Sequence, residues 1–444
     1  MIRWRKGEVV RVRREWPGAV ELDVTTEEGG VRALAYPALV GRPEPGDTVL
    51  LNTTALAMGL GTGGYAMVVA VPDRLPEDPH GPGHLVKARY TPLQATVLGA
   101  DEQDSPFHEV LREADSLDGM PVIVADLHSA LPAILCGLYG AHPPVPGSPA
   151  DVTPISQTAP GPWETGAGHP SPETATRTGA SEVGASGAGA SGAGASEVGA
   201  SEVGAETSGM ETSGAEASPA GDGGRRVPRV AYVMLDGGAL PAWFSMSCAR
   251  LRESGWLCGV ITVGQAFGGD VEAVTTHTGL LAARHVLGAD VAIVAQGPGN
   301  LGSGTRWGFS GVSAGEAVNA AAVLGGRPVA ALRVSEGDLR ERHVGVSHHS
   351  LTAYGRVALA PATVAVPELP GDFGRRVAEQ ARPLGERHEL VRVPVDGLYE
   401  ALRECPVRLS TMGRGLDEDL AYFLASAAAG RHAASLLPEP SPAP

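Results

Sequence analysis

Histidine and aspartate are the residues of this chain with the most chemistry to offer. Three histidines, His343, His348 and His349, fall within Arg340-Glu-Arg-His343-Val-Gly-Val-Ser347-His-His-Ser350, a run that reads as a helix opening capped by Ser347. Successive helical residues diverge by about 100°, so at most one of His348 and His349 is expected to face a cleft. Together with Asp126-x-His128 and Asp236 it would supply nitrogen and oxygen donors for a metal ion and an activated water. No tight ligand spacing supports this, and a capped helix with solvent-facing histidines is the commoner arrangement. Asp126, His128, Asp236, Glu336, His348 and His349 are therefore the catalytic candidates, as acid, base or ligand. Metal and cofactor identity stay open.

Anion binding has its own candidates. In Gln296-Gly-Pro-Gly-Asn-Leu-Gly-Ser-Gly-Thr305, followed by Arg306, the residues Gln296, Gly297, Gly299, Asn300, Gly302, Gly304, Thr305 and Arg306 could present backbone N–H groups and a cation to phosphate or carboxylate. The stretch Gly264-Gln-Ala-Phe-Gly-Gly-Asp270 adds Gln265, Gly268, Gly269 and Asp270. Formally Gly297-x-Gly299-x-x-Gly302 is a dinucleotide fingerprint, but Pro298 interrupts it and the next helix opens only near Gly311, which disfavours nicotinamide binding. The G-x-S-x-G match at Gly311-Val-Ser313-Ala-Gly315, with Glu336 and His348 following in hydrolase order, lacks the strand that must run directly into a nucleophilic serine. Glycine and aspartate are also the ordinary residues of βα turns.

These residues need a scaffold, and the hydrophobic pattern names one. Short apolar runs at 94–98, 121–125, 230–235, 258–263, 291–295, 328–334, 363–366 and 389–393 read as strands. Helical patterns fall between them at 106–114, 241–254, 276–287, 314–324, 349–359 and 417–428. Such alternation specifies a mostly parallel, doubly wound α/β sheet covered on both faces. Polar turns follow nearly every strand, so the candidates should meet at the carboxyl edge of one sheet.

Residues 1–75 read differently. Alternating runs at 20–24 and 31–36, a Pro45-Gly46-Asp47 turn and further strands at 48–52 and 65–71 suggest a small β-barrel module of SH3-like or OB-like size. The basic and aromatic residues from Arg3 to Trp16 could bind single-stranded nucleic acid, but an edge strand of the barrel is the stronger reading. Between the α/β segments 85–142 and 228–432 lies a low-complexity stretch, 143–227, built around Gly-Ala-Ser units of five residues. A period of five fits neither strand nor helix, so a disordered insert within one α/β domain is expected, and a disordered tail at 433–444.

Composition narrows the partners. The formal charge is −16, which argues against nucleic acid. The 143–227 stretch holds ten acidic and three basic residues, so seven of those excess negatives sit there. No apolar run approaches the roughly twenty residues that span a bilayer, and the first sixteen residues carry no secretory h-region. The four cysteines, Cys136, Cys248, Cys258 and Cys405, form no C-x-x-C pair, so reduced thiols and a cytoplasmic location are expected.

With Asp236-Gly-Gly-Ala-Leu-Pro241, Gly264-Gln-Ala-Phe-Gly-Gly-Asp270, Gln296-Gly-Pro-Gly-Asn300 and Ser347-His-His-Ser-Leu-Thr-Ala-Tyr354, the chain resembles a bacterial family catalogued as domain of unknown function 3866. That resemblance covers everything but the low-complexity stretch and implies neither a substrate nor catalytic residues. The residues themselves point to an α/β enzyme for a small anionic metabolite, or alternatively to a non-catalytic sensor or scaffold that uses its β-module for a partner. Oligomeric state is not readable.

Overall fold

The computed structural model describes residues 2–60, 63–140, 144 and 227–438. Nearly all of the low-complexity stretch, and the last six residues of the tail, lie outside that set.

Five N-terminal strands, β1 (Trp4–Trp16), β2 (Ala19–Thr26), β3 (Gly29–Ala35), β4 (Thr48–Asn52) and β5 (Ala66–Ala70), close into a barrel in the order β1-β2-β3-β5-β4. Two single-turn helices, α1 (Pro37–Val40) and α2 (Thr54–Ala57), fill its corners. Val20, Leu22 and Val24 alternate along β2 and pack inward on Ala33, Val49, Leu51 and Val68, as a two-residue side-chain period dictates. The basic strand β1 is paired rather than free. Arg11 and Arg13 bond to Asp23 at 2.5 and 3.0 Å, Arg5 to Glu28 at 2.5 Å, and Arg14 to the buried Glu21. Trp16 Nε1 donates to Trp243 O at 2.7 Å and ties the barrel to the second domain.

A short antiparallel hairpin follows, β6 (Leu85–Lys87) with β7 (Ala95–Val97). The strand expected at 94–98 therefore does not join the main sheet. Only the chain just beyond it, at Gly99 and Ala100, touches that sheet's edge, through Ala100 N to Glu272 O at 2.8 Å.

The α/β domain then runs α3 (His108–Glu113), β8 (Pro121–Val124), α4 (Leu131–Tyr139), β9 (Val230–Leu235), α5 (Met246–Glu253), β10 (Gly259–Thr262), β11 (Val271–Glu272), α6 (Thr276–His285), β12 (Val291–Gln296), α7 (Ser313–Val323) and β13 (Arg327–Ala331). A small hairpin, β14 (Val334–Ser335) with β15 (Gly345–Val346), leads to α8 (His348–Thr352) and a π-turn at Ala353–Val357. The chain finishes with β16 (Thr363–Pro367), α9 (Gly371–Ala381), β17 (Glu389–Val393), α10 (Leu398–Arg403), the hairpin β18 (Ser410–Thr411) and β19 (Arg414–Gly415), and α11 (Leu420–Ser435), which carries helix into the region expected to be tail.

The eight-stranded sheet has the order β11-β10-β9-β12-β8-β13-β16-β17, and every pairing within it is parallel. Strand residues alternate between two cores. Val122, Val124, Ala231 and Val233 face the core under α6, α7 and α9, whereas Ile123, Val230, Tyr232 and Ile293 face the core under α4, α5, α10 and α11. β8, which precedes the low-complexity stretch, sits between β12 and β13, which follow it. The sheet is thus doubly wound and built from both sides of that stretch.

Candidate functional site

Because all eight strands run the same way, their carboxyl ends share one edge. The chain leaves β8 and β9 toward one side of the sheet and β12 and β13 toward the other. Loops at such a switch diverge and leave a crevice, here over β12, β8 and β13.

Asp126, two residues past β8, is 4% exposed. Its Oδ2 lies 3.4 Å from His349 Nδ1 and 3.7 Å from Arg333 Nη1. Those contacts are ion-pair length, and the oxygen makes no well-formed hydrogen bond. Burial pushes the Asp126 carboxyl up, but the His349 contact and the Arg333 charge outweigh it and hold the group below the usual carboxylate range. Arg333, just past β13 and 3% exposed, also reaches Asp338 at 3.8 Å. Asp338 is in turn bonded by Arg340 at 2.7 Å.

His349 stacks flat on Phe309 at a ring distance of 3.8 Å and an angle of 4°. His348 lies 4.4 Å from it, and His343 lies 4.9 Å from both. The two rings lie close together although they leave the backbone in different directions. His348 and His349 are the first two residues of α8, and rotation about the side-chain torsions lets rings that leave the backbone about 100° apart lean together. Ser347 caps the helix as expected, accepting from His349 N at 3.2 Å, and also meets His343 Nδ1 at 2.8 Å. Burial, reinforced by Arg333 and Arg340, holds His343 down to about 3. Burial and His349 hold His348 down to about 4. Both are neutral at ordinary pH with ring lone pairs to offer, so His343, His348 and His349 are the residues that could hold a metal.

The other side of the rim is organised by Gln296, which is 1% exposed. Its Nε2 donates to Asp126 O at 2.7 Å and to Asn300 Oδ1 at 3.2 Å, while its Oε1 accepts from Ser310 Oγ at 2.6 Å. This network holds the start of the Gly-rich loop against the sheet. Gly297 is required there, since a Cβ would come within 2.3 Å of Ala239 O. A cavity of about 250 Å³ opens beside the loop, lined by His128, Ser129, Ser247, Gly299, Asn300, Arg408 and Ser410 among others. His128 sits in it with both nitrogens engaged, Nδ1 at 2.9 Å from Tyr232 Oη and Nε2 at 2.8 Å from Ser245 Oγ. Tyr232 donates to Gln296 O at 3.0 Å, so it accepts from His128 Nδ1–H, and Nε2 is left to accept the Ser245 hydroxyl. Burial holds His128 down to about 4. A larger concavity of about 520 Å³ is lined by 402–403, 405–409 and 415–418, and shares Arg408 with the smaller cavity.

The remaining candidates scatter. Asp236 is exposed and accepts from Gln265 N at 2.9 Å, linking the loops that follow β9 and β10. Asp270 pairs with Arg252 at 2.7 Å and accepts from Val260 N at 2.8 Å. Gly268, at φ 85°, and Gly269, whose N–H bonds Thr262 Oγ1 at 3.2 Å, shape the sheet edge against Trp243. Glu336 is exposed, and only its backbone N–H is engaged, by Asp419 at 3.2 Å. Gly302, Gly304, Thr305 and Arg306 lie on an exposed loop that bonds to itself, with Ser303 N to Gly308 O at 2.7 Å and Gly308 N to Thr305 Oγ1 at 3.1 Å. Ser313 opens α7 and donates to Ser310 O at 3.0 Å. Sequence reasoning did not single out Arg333, Asp338 or Arg408. The double contact of Arg333 with Asp126 and Asp338 leaves no local pattern in the sequence.

Fold and rim together define a doubly wound parallel α/β protein joined to a closed five-stranded barrel, with buried polar groups gathered at the sheet's switch point. The chain belongs to the family described as Protein of unknown function (DUF3866), which matches residues 32–146 and 220–430. No curated protein and no solved structure matches it. Among the described residues no helix is long and apolar enough to cross a membrane.

Proposed function

We propose that this protein is an enzyme for a small molecule bearing phosphate or carboxylate, bound in the cavity beside the Gly-rich loop. The observation that carries the reading is the lining of that cavity. It combines the exposed Arg408, the backbone of Gly299 and Asn300 and the hydroxyls of Ser129, Ser247 and Ser410, with no carboxylate. Gly299 adopts φ 93°, a conformation open to glycine. His128 supports chemistry rather than mere binding. It is a neutral imidazole in one tautomer, accepting a hydroxyl proton from Ser245, the arrangement that serves proton transfer.

The test is thermal-shift screening of inorganic phosphate, nucleotides, sugar phosphates and dicarboxylates in the presence of EDTA. A ligand at a hundred times its Kd stabilises by about 2.7 kcal/mol. At least one anion class is expected to raise the melting temperature, and Arg408→Gln to weaken that ligand's binding tenfold or more, since a charge-assisted bond contributes about 1.5–3 kcal/mol. If no anion shifts the wild type, the protein is better read as a non-catalytic sensor or scaffold.

A further inference from the structure

His343, His348 and His349 each have one nitrogen within 4.8 Å of the others. In a tetrahedral site with metal–nitrogen bonds of about 2.0–2.1 Å, neighbouring nitrogens stand about 3.3 Å apart. The rings therefore close on an ion by roughly an ångström each, within reach of small torsion changes.

Two of the rings each have a polar neighbour at one nitrogen. His349 Nδ1 faces the Asp126 carboxylate at 3.4 Å, and His343 Nδ1 meets Ser347 Oγ at 2.8 Å. An ion held through Nε2 of His349 would put the Asp126 carboxylate behind a ligating histidine, the common outer partner. His348 Nε2 is buried and has no hydrogen-bond partner, and Asp126 Oδ2 is likewise unsatisfied. Packing on Phe309 accounts for the place of His349 but for neither of those orphaned atoms, which ordinary cores avoid. Arg333 donates to His349 Nδ1 at 3.2 Å, so ligation through Nε2 requires Nδ1 to take the ring proton and turn from Arg333 to the Asp126 carboxylate, while the guanidinium keeps Asp126 and Asp338 as neighbours.

We propose that His343, His348 and His349 bind a first-row divalent cation, zinc above all, with Asp126 as the carboxylate that orients His349. Three nitrogen ligands leave the fourth position to water, as in zinc sites that catalyse. This site uses none of the residues that line the anion cavity and stands independently of that reading.

The full chain, stripped with EDTA and exchanged into phosphate-free buffer, is titrated with Co(II) and then Zn(II). One equivalent of Co(II) is expected to give the visible d–d absorption of tetrahedral coordination, and Zn(II) to displace it. His348→Ala removes a ligand from a half-exposed position, so its fold is checked by far-UV circular dichroism and melting in EDTA. Its affinity is expected to fall about 100-fold or more, and that of Asp126→Asn, which keeps all three ligands, by about 10–100-fold. A wild type that takes up no metal, or a folded His348→Ala that binds as tightly as wild type, overturns the proposal. Arg408→Gln is expected to bind Zn(II) normally, so failure of the anion reading would leave this one measurable.

Discussion

Each imidazole at the rim is held by a different partner, and the partner decides what the ring can do. His128 is engaged by Tyr232 and Ser245, and burial lowers its pKa from 6.5 to about 4. Its folded value lies below its unfolded one, so between those pH values the unfolded chain binds the extra proton. Stability contributed by neutral His128 is therefore complete above pH 6.5 and lost as pH falls toward 4. Denaturant melts from pH 4 to 7 are expected to show a shallower slope for His128→Gln than for wild type, and equal slopes would remove the claim. At this scale residue type was informative for Asp126, His348 and His349, which the fold does bring together. Asp236 and Asp270 accept from the backbone N–H groups of Gln265 and Val260, a structural role that aspartate fills as readily as a catalytic one.

Helix legibility did not follow amphipathicity, since the strongly amphipathic α9 was not expected from the sequence. α7 was expected at 314–324 and found at Ser313–Val323, whereas all nine residues of α4 are buried, so it shows no polar face to mark it as a helix. Its place is set instead by a close crossing with α11. A Cβ on Gly137 would fall 1.8 Å from Ala427 O, and one on Gly430 would fall 1.9 Å from Ile134 O. Neither backbone can give way, so Gly137→Ala is expected to destabilise by about 3 kcal/mol, the upper end of overpacking costs, measured by urea unfolding. An unchanged midpoint would show that the helices do not cross there. Gly315 has a similar role, since its Cβ would meet Ala353 O at 2.3 Å. The G-x-S-x-G pattern is thus a packing contact between α7 and the π-turn, not a nucleophile elbow.

Across the molecule the insertion is the dominant topological fact. Tyr139 Oη, at the end of α4, donates to Trp256 O at 2.8 Å and lies 3.4 Å from Pro228 O, so the two flanks meet. Replacing residues 145–226 by about ten Gly/Ser residues shortens the closing loop by some three halvings. That change is expected to stabilise the fold by about 2 kcal/mol, near 0.6 kcal/mol for each halving. Calorimetric melting checks it, and a chain that no longer folds would show that residues 145–226 contribute to the native state. Hydrophobic period, turn residues and composition by themselves determined the barrel, the parallel sheet and the edge where polar turns gather, because each is a local property repeated along the chain. Which of those turns meet was decided only by tertiary structure. Asp126, Arg333 and His349 converge through strand order, and His343 joins His348 through a hairpin and a helix start. Such contacts depend on packing between segments more than two hundred residues apart, which no short-range pattern records.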